Sequence, residues 1–357
     1  MPKSKTKQQF KRLWQTTLSD YVTAIAWSPD GAWLFASSAA GEVVRYNKNT
    51  GEMTVLQEAQ GESVDALAIS ANGAFLAAGG QSGTVWIWRL DDSTPSLLTT
   101  LEHSRAWIDR LQWNPRHPEL AFNLGRYSQV WDASTQSVIT TLNFESSSVL
   151  DLAWHPQGDR LSLSGNRSIQ TWQRSDWDDD PTAREIGGAS GAIAWSLDGF
   201  YLASGCNDRS IVVWEEDHPY PWRMQGFPGK VRQLAWSTPQ KAADAPLLAS
   251  ISGEDVVIWT KDNDPSVGWN SQVLDLHQGM VRAIAFQPQS SLLASAAEDG
   301  WLCLWNQQAS RLTQVLEGAA AGFSCLAWNP SGGAIAAGGS RGEVLVWRET
   351  TQGKGFG

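Results

Sequence analysis

The sequence predicts an all-β fold, a β-propeller of eight blades in which each blade is a short antiparallel sheet. Three observations carry this prediction. A motif recurs down the 357 residues at steps of 42, 44, 41, 41, 41, 50 and 42. Each unit reads as short strands separated by turn residues. Tryptophan occurs 21 times against 5 tyrosines, a bias that suggests one repeated structural task. Periods of roughly 20–50 residues mark repeat architectures, and three or four strands in each points to propeller blades.

The first element of each unit is an alternating apolar strand, as in "VTAIAWSPDGAWLFAS" and "VDALAISANGAFLAAG". It ends at an anchor: Trp27, Ile69, Trp113, Trp154, Trp195, Trp236, Phe286 and Trp328. A Pro-Asp-Gly-type turn follows, and in "SPDG" Gly31 is free to take positive φ. A later strand of each unit ends at a second anchor: Tyr46, Trp88, Trp131, Trp172, Trp214, Trp259, Trp305 and Trp347. The two registers hold 13 of the 21 tryptophans, so the composition bias is a repeat signature. The last unit ends at "EVLVWR" without an outer strand, and "FKRLWQTTL" (Phe10–Leu18) offers one from the N-terminus. Such a strand would close the ring and hide two sheet edges. Residues 10–348 are expected to form a single domain, with 1–9 and 349–357 as flexible flanks.

On these residues the chain resembles the WD40-repeat β-propellers, over about residues 10–348. That resemblance implies a hydrogen-bonded tetrad: a His before the first strand, a Ser/Thr in the second, an Asp in the next turn and the third-strand Trp. One unit carries all four at matching spacing, His277, Ser295, Asp299 and Trp305. Another retains Ser204, Asp208 and Trp214 without the histidine, and elsewhere the Asp position is Ala40, Ser82, Asn166 or Arg341. Those units are expected to rely more on apolar packing. Eight units are counted, with seven, the family's common number, as the alternative.

Composition excludes several classes. The formal charge of −10 and pI near 5.0 oppose a nucleic-acid surface, and no basic-aromatic stripe offsets them. Cys206, Cys303 and Cys325 form no CxxC, which fits a reducing compartment. The basic start "MPKSKTKQQFKRLW" lacks the apolar run of a signal peptide, and no stretch is long and apolar enough for a spanning helix. A cytoplasmic, monomeric propeller with no cofactor, no metal and no membrane insertion is expected. The five histidines fall in different units without HxxxH or HExxH spacing, and neither GxSxG nor GxxxxGK[ST] occurs. Quinone-dependent dehydrogenases also place a tryptophan in every blade. Theirs follows a Thr-Gly-Lys turn, whereas these occupy strands. An enzyme or small-molecule site at the central channel stays the alternative to a binding protein.

Propellers display loops on a rigid ring. In the family's geometry the loops entering the first strand open on one face, the top. Four residues before each first anchor stand Thr23, Asp65, Asp109, Leu150, Gly191, Arg232, Arg282 and Ser324. The acids Asp65 and Asp109 lie opposite the arginines Arg232 and Arg282, a polarity that would orient a partner unless each charge pairs with a neighbour. The bottom face gathers three irregular segments, "QRSDWDDDPTAREI", "EEDHPYPWRM" and "TKDNDPSVGWNSQ". Each carries acids, a proline and one tryptophan. Trp177, Tyr220, Trp222 and Trp269 are therefore candidate contacts for another protein, one with a basic segment. The alternative is that each indole folds back over the lower rim of its own blade. The expected function is a non-catalytic scaffold or adaptor that supports assembly of a protein complex.

Overall fold

A computed structural model describes residues 9–90, 94–104, 106–145, 147–239, 244–264, 266–306 and 311–350. Among them 31 strands form seven antiparallel sheets, six of four strands and one of seven. Within a sheet the strands, here a to d, lie in chain order, except that the outer strand of the last sheet is the N-terminal Gln9–Thr17. The seven-stranded sheet runs through the long strand Thr182–Trp195. Its first half pairs with Asn166–Gln173 and its second half with Tyr201–Cys206, so it is strand d of unit four and strand a of unit five. The strands a lie side by side in chain order, and Phe323–Trp328 of unit eight returns to Val22–Trp27 of unit one. The ring is closed.

The two anchor registers have one geometric cause. In every unit a single aliphatic residue of strand b pairs across the sheet with both anchors. Leu34 stands between Trp27 and Tyr46, and Leu202 between Trp195 and Trp214. Leu76, Leu120, Leu161, Leu248, Leu293 and Ile335 repeat this row in the other units. All eight aliphatics are fully buried. A cross-strand row of three large apolar side chains is the basic packing element of a sheet, and here it fills the space between neighbouring units.

Hydrogen bonds then tie unit to unit in two belts. In the first, the strand a indole donates to the carbonyl just before the preceding unit's anchor. Trp27 Nε1 reaches Ala327 O at 3.1 Å, Trp113 reaches Ala68 O at 3.1 Å, and Trp154 reaches Gln112 O at 3.1 Å. Trp236 to Ala194 O and Trp328 to Ala285 O are both 3.0 Å. In the second belt, the residue after an anchor reaches the turn glycine of the following unit. Asn114 Nδ2 donates to Gly158 O, Gln287 Nε2 to Gly332 O and Asn329 Nδ2 to Gly31 O, each at 2.9 Å. His155 Nε2 sits 3.2 Å from Gly199 O. Units lacking the tetrad, expected to rely more on apolar packing, are thus also tied to their neighbours by hydrogen bonds.

Closure uses the N-terminal strand, Gln9–Thr17, which pairs with Glu343–Thr350 as the outer strand of unit eight. Phe10 packs edge-on against Trp328 at 5.4 Å, and Trp14 Nε1 donates to Lys48 O in unit one. Glu349 and Thr350, assigned from sequence to a flexible tail, are the last residues of a strand and pair with Phe10 and Gln9. Gln9 likewise belongs to the sheet, while residues 1–8 and 351–357 of the two flanks lie outside the described residues.

Two outcomes follow from this geometry. Deleting residues 1–18 removes Phe10, Trp14 and an entire edge strand, so the thermal midpoint should fall steeply; an unchanged melt would refute strand closure. Gly31 combines φ of +69° with an approach that would bring an added Cβ to 2.6 Å from Asn329 Oδ1. Gly31→Ala should cost about 2 kcal/mol or more in urea unfolding. In an Asn329→Ala background the increment should shrink. Strict additivity would mean that the belt contact does not dictate the glycine.

Candidate functional site

On the top face, most of the positions four residues before each anchor share a backbone feature. In five units strand a carries a β-bulge there, and the extra residue is Thr23, Asp65, Gly191, Arg282 or Ser324. A bulge kinks the strand and re-aims a side chain, which is how these positions reach the mouth of the ring. Asp109 and Arg232 lie just before the shorter strands Leu111–Trp113 and Gln233–Trp236. A cavity of about 530 Å³ opens among Thr23, Arg110, Asp151, Arg232, Arg282 and Ser324.

Most of the expected charge polarity is already committed. Arg282 pairs with Glu298 of its own unit, its Nε 2.8 Å from the carboxylate. Asp65 accepts from Ser63 Oγ at 2.5 Å and from Trp107 Nε1 at 2.7 Å. Asp109 accepts from Asn123 Nδ2 at 2.7 Å, and the Arg110 guanidinium stands 3.5 Å from it and 3.2 Å from Asp151. Burial pushes the Asp151 carboxyl above its usual range, and Arg110 opposes that shift. Arg232 is exposed at the cavity and makes no ion pair among the described residues. Sequence reasoning missed Trp107, a loop indole that is 56% exposed and fixed in place by Asp65.

On the bottom face three of the four candidate aromatics make packing contacts. Trp269, assigned to a display loop, is 9% exposed in the core between units five and six, against Tyr201 and Trp236. It opens strand Trp269–Leu274, and Trp222 opens Trp222–Gln225, so neither sits in a loop. Trp222 is half-buried, with His218 stacked at 5.6 Å on one side and Lys261 Nζ at 4.7 Å. Trp177 folds back edge-on to Trp154 at 6.0 Å. Trp177 thus lies over its own unit, whereas Trp222 and Trp269 pack across the seam between units five and six. Tyr220 is the exception, at 74% exposed.

Ion pairs also cross between these units, two of them made by acids of the irregular segments. Glu119 of unit three takes Arg174 of unit four through three hydrogen bonds of 2.6 to 2.9 Å, which hold the guanidinium above its usual pKa. Arg160 of unit four takes Glu216 of unit five at 2.5 Å, and Glu215 of unit five takes Lys261 of unit six. The irregular segments thus form a staircase of ion pairs from one unit to the next.

The tetrad residues lie together in unit seven. Trp305 Nε1 donates to Ser295 Oγ at 2.8 Å, Ser295 meets His277 Nε2 at 2.8 Å, and His277 Nδ1 meets Asp299 at 2.9 Å. Asp299 also accepts the backbone N–H of Gln278 and Trp301, so the relay fixes the loop around it. In unit five Ser204 donates instead to Ser190, and Asp208 accepts from Ser210. The thiols are free, and burial pushes Cys303 up to about 12 and Cys325 up to about 11, unlike the depressed values of nucleophilic cysteines. Among the described residues, no group of three or more His, Cys, Asp or Glu is placed to hold a metal ion.

The roles of the bottom aromatics can be separated by substitution. Trp269→Ala should destabilise the fold by about 3–5 kcal/mol through loss of core packing. Tyr220→Ala should stay within about 0.5 kcal/mol of the parent. Equal melting of the two variants would overturn the assignment of Trp269 to the core.

Comparison with known proteins agrees with the geometry. The model of the WD domain, G-beta repeat, matches residues 12–46, 52–89, 188–215, 268–306 and 310–348, together about half of the chain. Similar curated proteins include Protein HIR1 of Cryptococcus neoformans, 28% identical over 41% of this chain and 18% of that protein. The B-type cell cycle switch protein ccs52A of Medicago truncatula is 27% identical over 45% of this chain and 33% of its own length. Protein CIA1 of Arabidopsis thaliana is 30% identical over 27% and 29%. The matches thus span no more than a third of these relatives. Units three and four and most of unit six fall outside the family-model matches, yet their strands and anchors repeat the same register. The chain belongs to the WD40-repeat family and folds as its β-propellers do.

Proposed function

We propose that this chain is a non-catalytic scaffold that supports assembly of a protein complex, acting as an eight-bladed monomeric propeller in the cytoplasm. The observation that carries this reading is where exposed aromatics remain. Inter-unit bonds fix the ring, and three of the four bottom candidates are spent on packing. Trp107 and Tyr220 nevertheless stand exposed in loops on opposite faces. Trp107 is held by Asp65, and an exposed aromatic held in place costs little entropy to bind; aromatics also dominate interface energetics. WD40 domains generally mediate protein interactions, and relatives such as a cell cycle switch protein fit a binding role better than a catalytic one. A small-molecule site at the channel is the second reading, favoured by the cavity of about 530 Å³.

Affinity purification of the tagged chain from its source cells tests the proposal. At least one protein should be recovered in comparable molar amount with the parent. It should be lost with Trp107→Ala or Tyr220→Ala while the melting temperature holds. A parent chain that recovers no such protein would sink the scaffold reading.

A further inference from the structure

The bottom junction between units four and five departs from the rest of the ring. Every other strand a tryptophan donates to a backbone carbonyl of the preceding unit, but Trp195 Nε1 turns to Ser162 Oγ at 3.2 Å. Ser162 in turn bonds Thr171 Oγ1 at 2.9 Å, and Thr171 accepts from Arg184 Nη1 at 3.1 Å. Beside this chain opens a cleft of about 330 Å³, with Trp195, Phe200, Leu202 and Trp214 among its walls and Arg184 lining it. That volume falls within the roughly 300–1,000 Å³ of small-ligand pockets, which combine apolar walls with a few placed polar groups.

Arg184 is the group that distinguishes the cleft. Arg184 is partly buried, and its guanidinium donates a hydrogen bond to a neutral hydroxyl; among the described residues it has no carboxylate in ion-pair range. Glu215 and Glu216 also line the cleft, but Lys261 holds the first and Arg160 the second. Arg160 also pairs with Asp159 at 3.7 Å, and His218 lines the cleft as well, so Arg184 is the cleft's one arginine without a carboxylate in ion-pair range among the described residues. Burial pushes its pKa down, with Glu216 pulling it up and Arg160 down, so an added anion would relieve a strained charge. A guanidinium matches a carboxylate through two parallel hydrogen bonds.

We propose that this cleft binds a carboxylate carried on a flat apolar body, with Arg184 as the anion-binding residue and Trp195, Trp214 and Phe200 as the walls. The source is either a free aromatic acid or an acidic residue beside an aromatic one in a partner chain. The proposal stands on the cleft alone and does not depend on the scaffold reading.

Saturation-transfer NMR and isothermal titration of the full chain with sodium benzoate and with acetyl-Phe-Asp-amide test it. The parent should bind at least one of the two, more weakly as salt rises. Tighter binding of the peptide assigns the site to a partner's acidic residue, and tighter binding of benzoate assigns it to a free acid. Arg184→Gln should weaken binding about tenfold or more, the value of one charged hydrogen bond. Arg184→Lys, which keeps the charge but not the paired donors, should fall between, and it provides the reading if the glutamine variant melts early. Benzyl alcohol, the neutral counterpart of benzoate, should bind more weakly than benzoate. No binding of either acid at millimolar concentration, or equal affinity of benzoate for the parent and both variants, would overturn the proposal.

Discussion

The interaction on which the ring depends is the hydrogen bond from a strand a indole to a carbonyl of the preceding unit. Strand a is the inner edge of its sheet, and in an antiparallel pair every second carbonyl points away from its partner strand. No further strand covers that edge, so those groups would stay unpaired in the tightest part of the molecule. An indole supplies a large apolar face for the space between sheets and one N–H for the stranded carbonyl. Neither phenylalanine nor isoleucine can do both. Where the anchor is Phe286, the adjoining bonds come from Gln233, whose side chain both donates to and accepts from the backbone of Ile284.

The second belt explains why the turn after strand a repeats as it does. Asn114, Gln287 and Asn329 each reach sideways to a glycine carbonyl in the following turn. The approach leaves no space for a Cβ at Gly31 or Gly158, and both positions have positive φ. Two requirements on one residue, backbone angle and clearance, leave glycine alone. With both belts in place, most units hold together without the His-Ser-Asp-Trp relay of unit seven. That relay fixes a loop to its own sheet, whereas the belts fix sheets to each other.

The period, the anchors and the closing strand could be read in advance because they come from one repeated arrangement. A strand b aliphatic paired with two anchors fixes the spacing between them, and spacing survives in sequence. Three features left no such trace. The bulge in strand a adds one residue without altering the alternation that surrounds it, so Asp65 and Arg282 could be placed on a face but not on a kink. The strand Thr182–Trp195 serves two units, although Gly187, Gly188 and Gly191 at the changeover read as a turn in the sequence. Trp222 and Trp269 stand just after loop-like segments, and only pairing with Val213 and Lys261 shows that each opens a strand. A tryptophan one residue inside a sheet packs; one residue outside, it can be displayed.

Charge was the least legible property, for a physical reason. The segment "EEDHPYPWRM" reads as acidic, and an acidic loop invites a basic partner. Yet Glu215 and Glu216 are consumed by Lys261 and Arg160, which lie 46 and 56 residues away on neighbouring units. Interaction between charges falls with distance in space, not along the chain, and is strengthened where water is excluded. What a site offers to a ligand is the charge left after its internal pairs are made. In the cleft behind this segment the residue left over is Arg184, whose sign is opposite to that of the loop above it. The net charge of −10 for the whole chain therefore says little about this junction, because a repeat protein builds its sites at the seams between units.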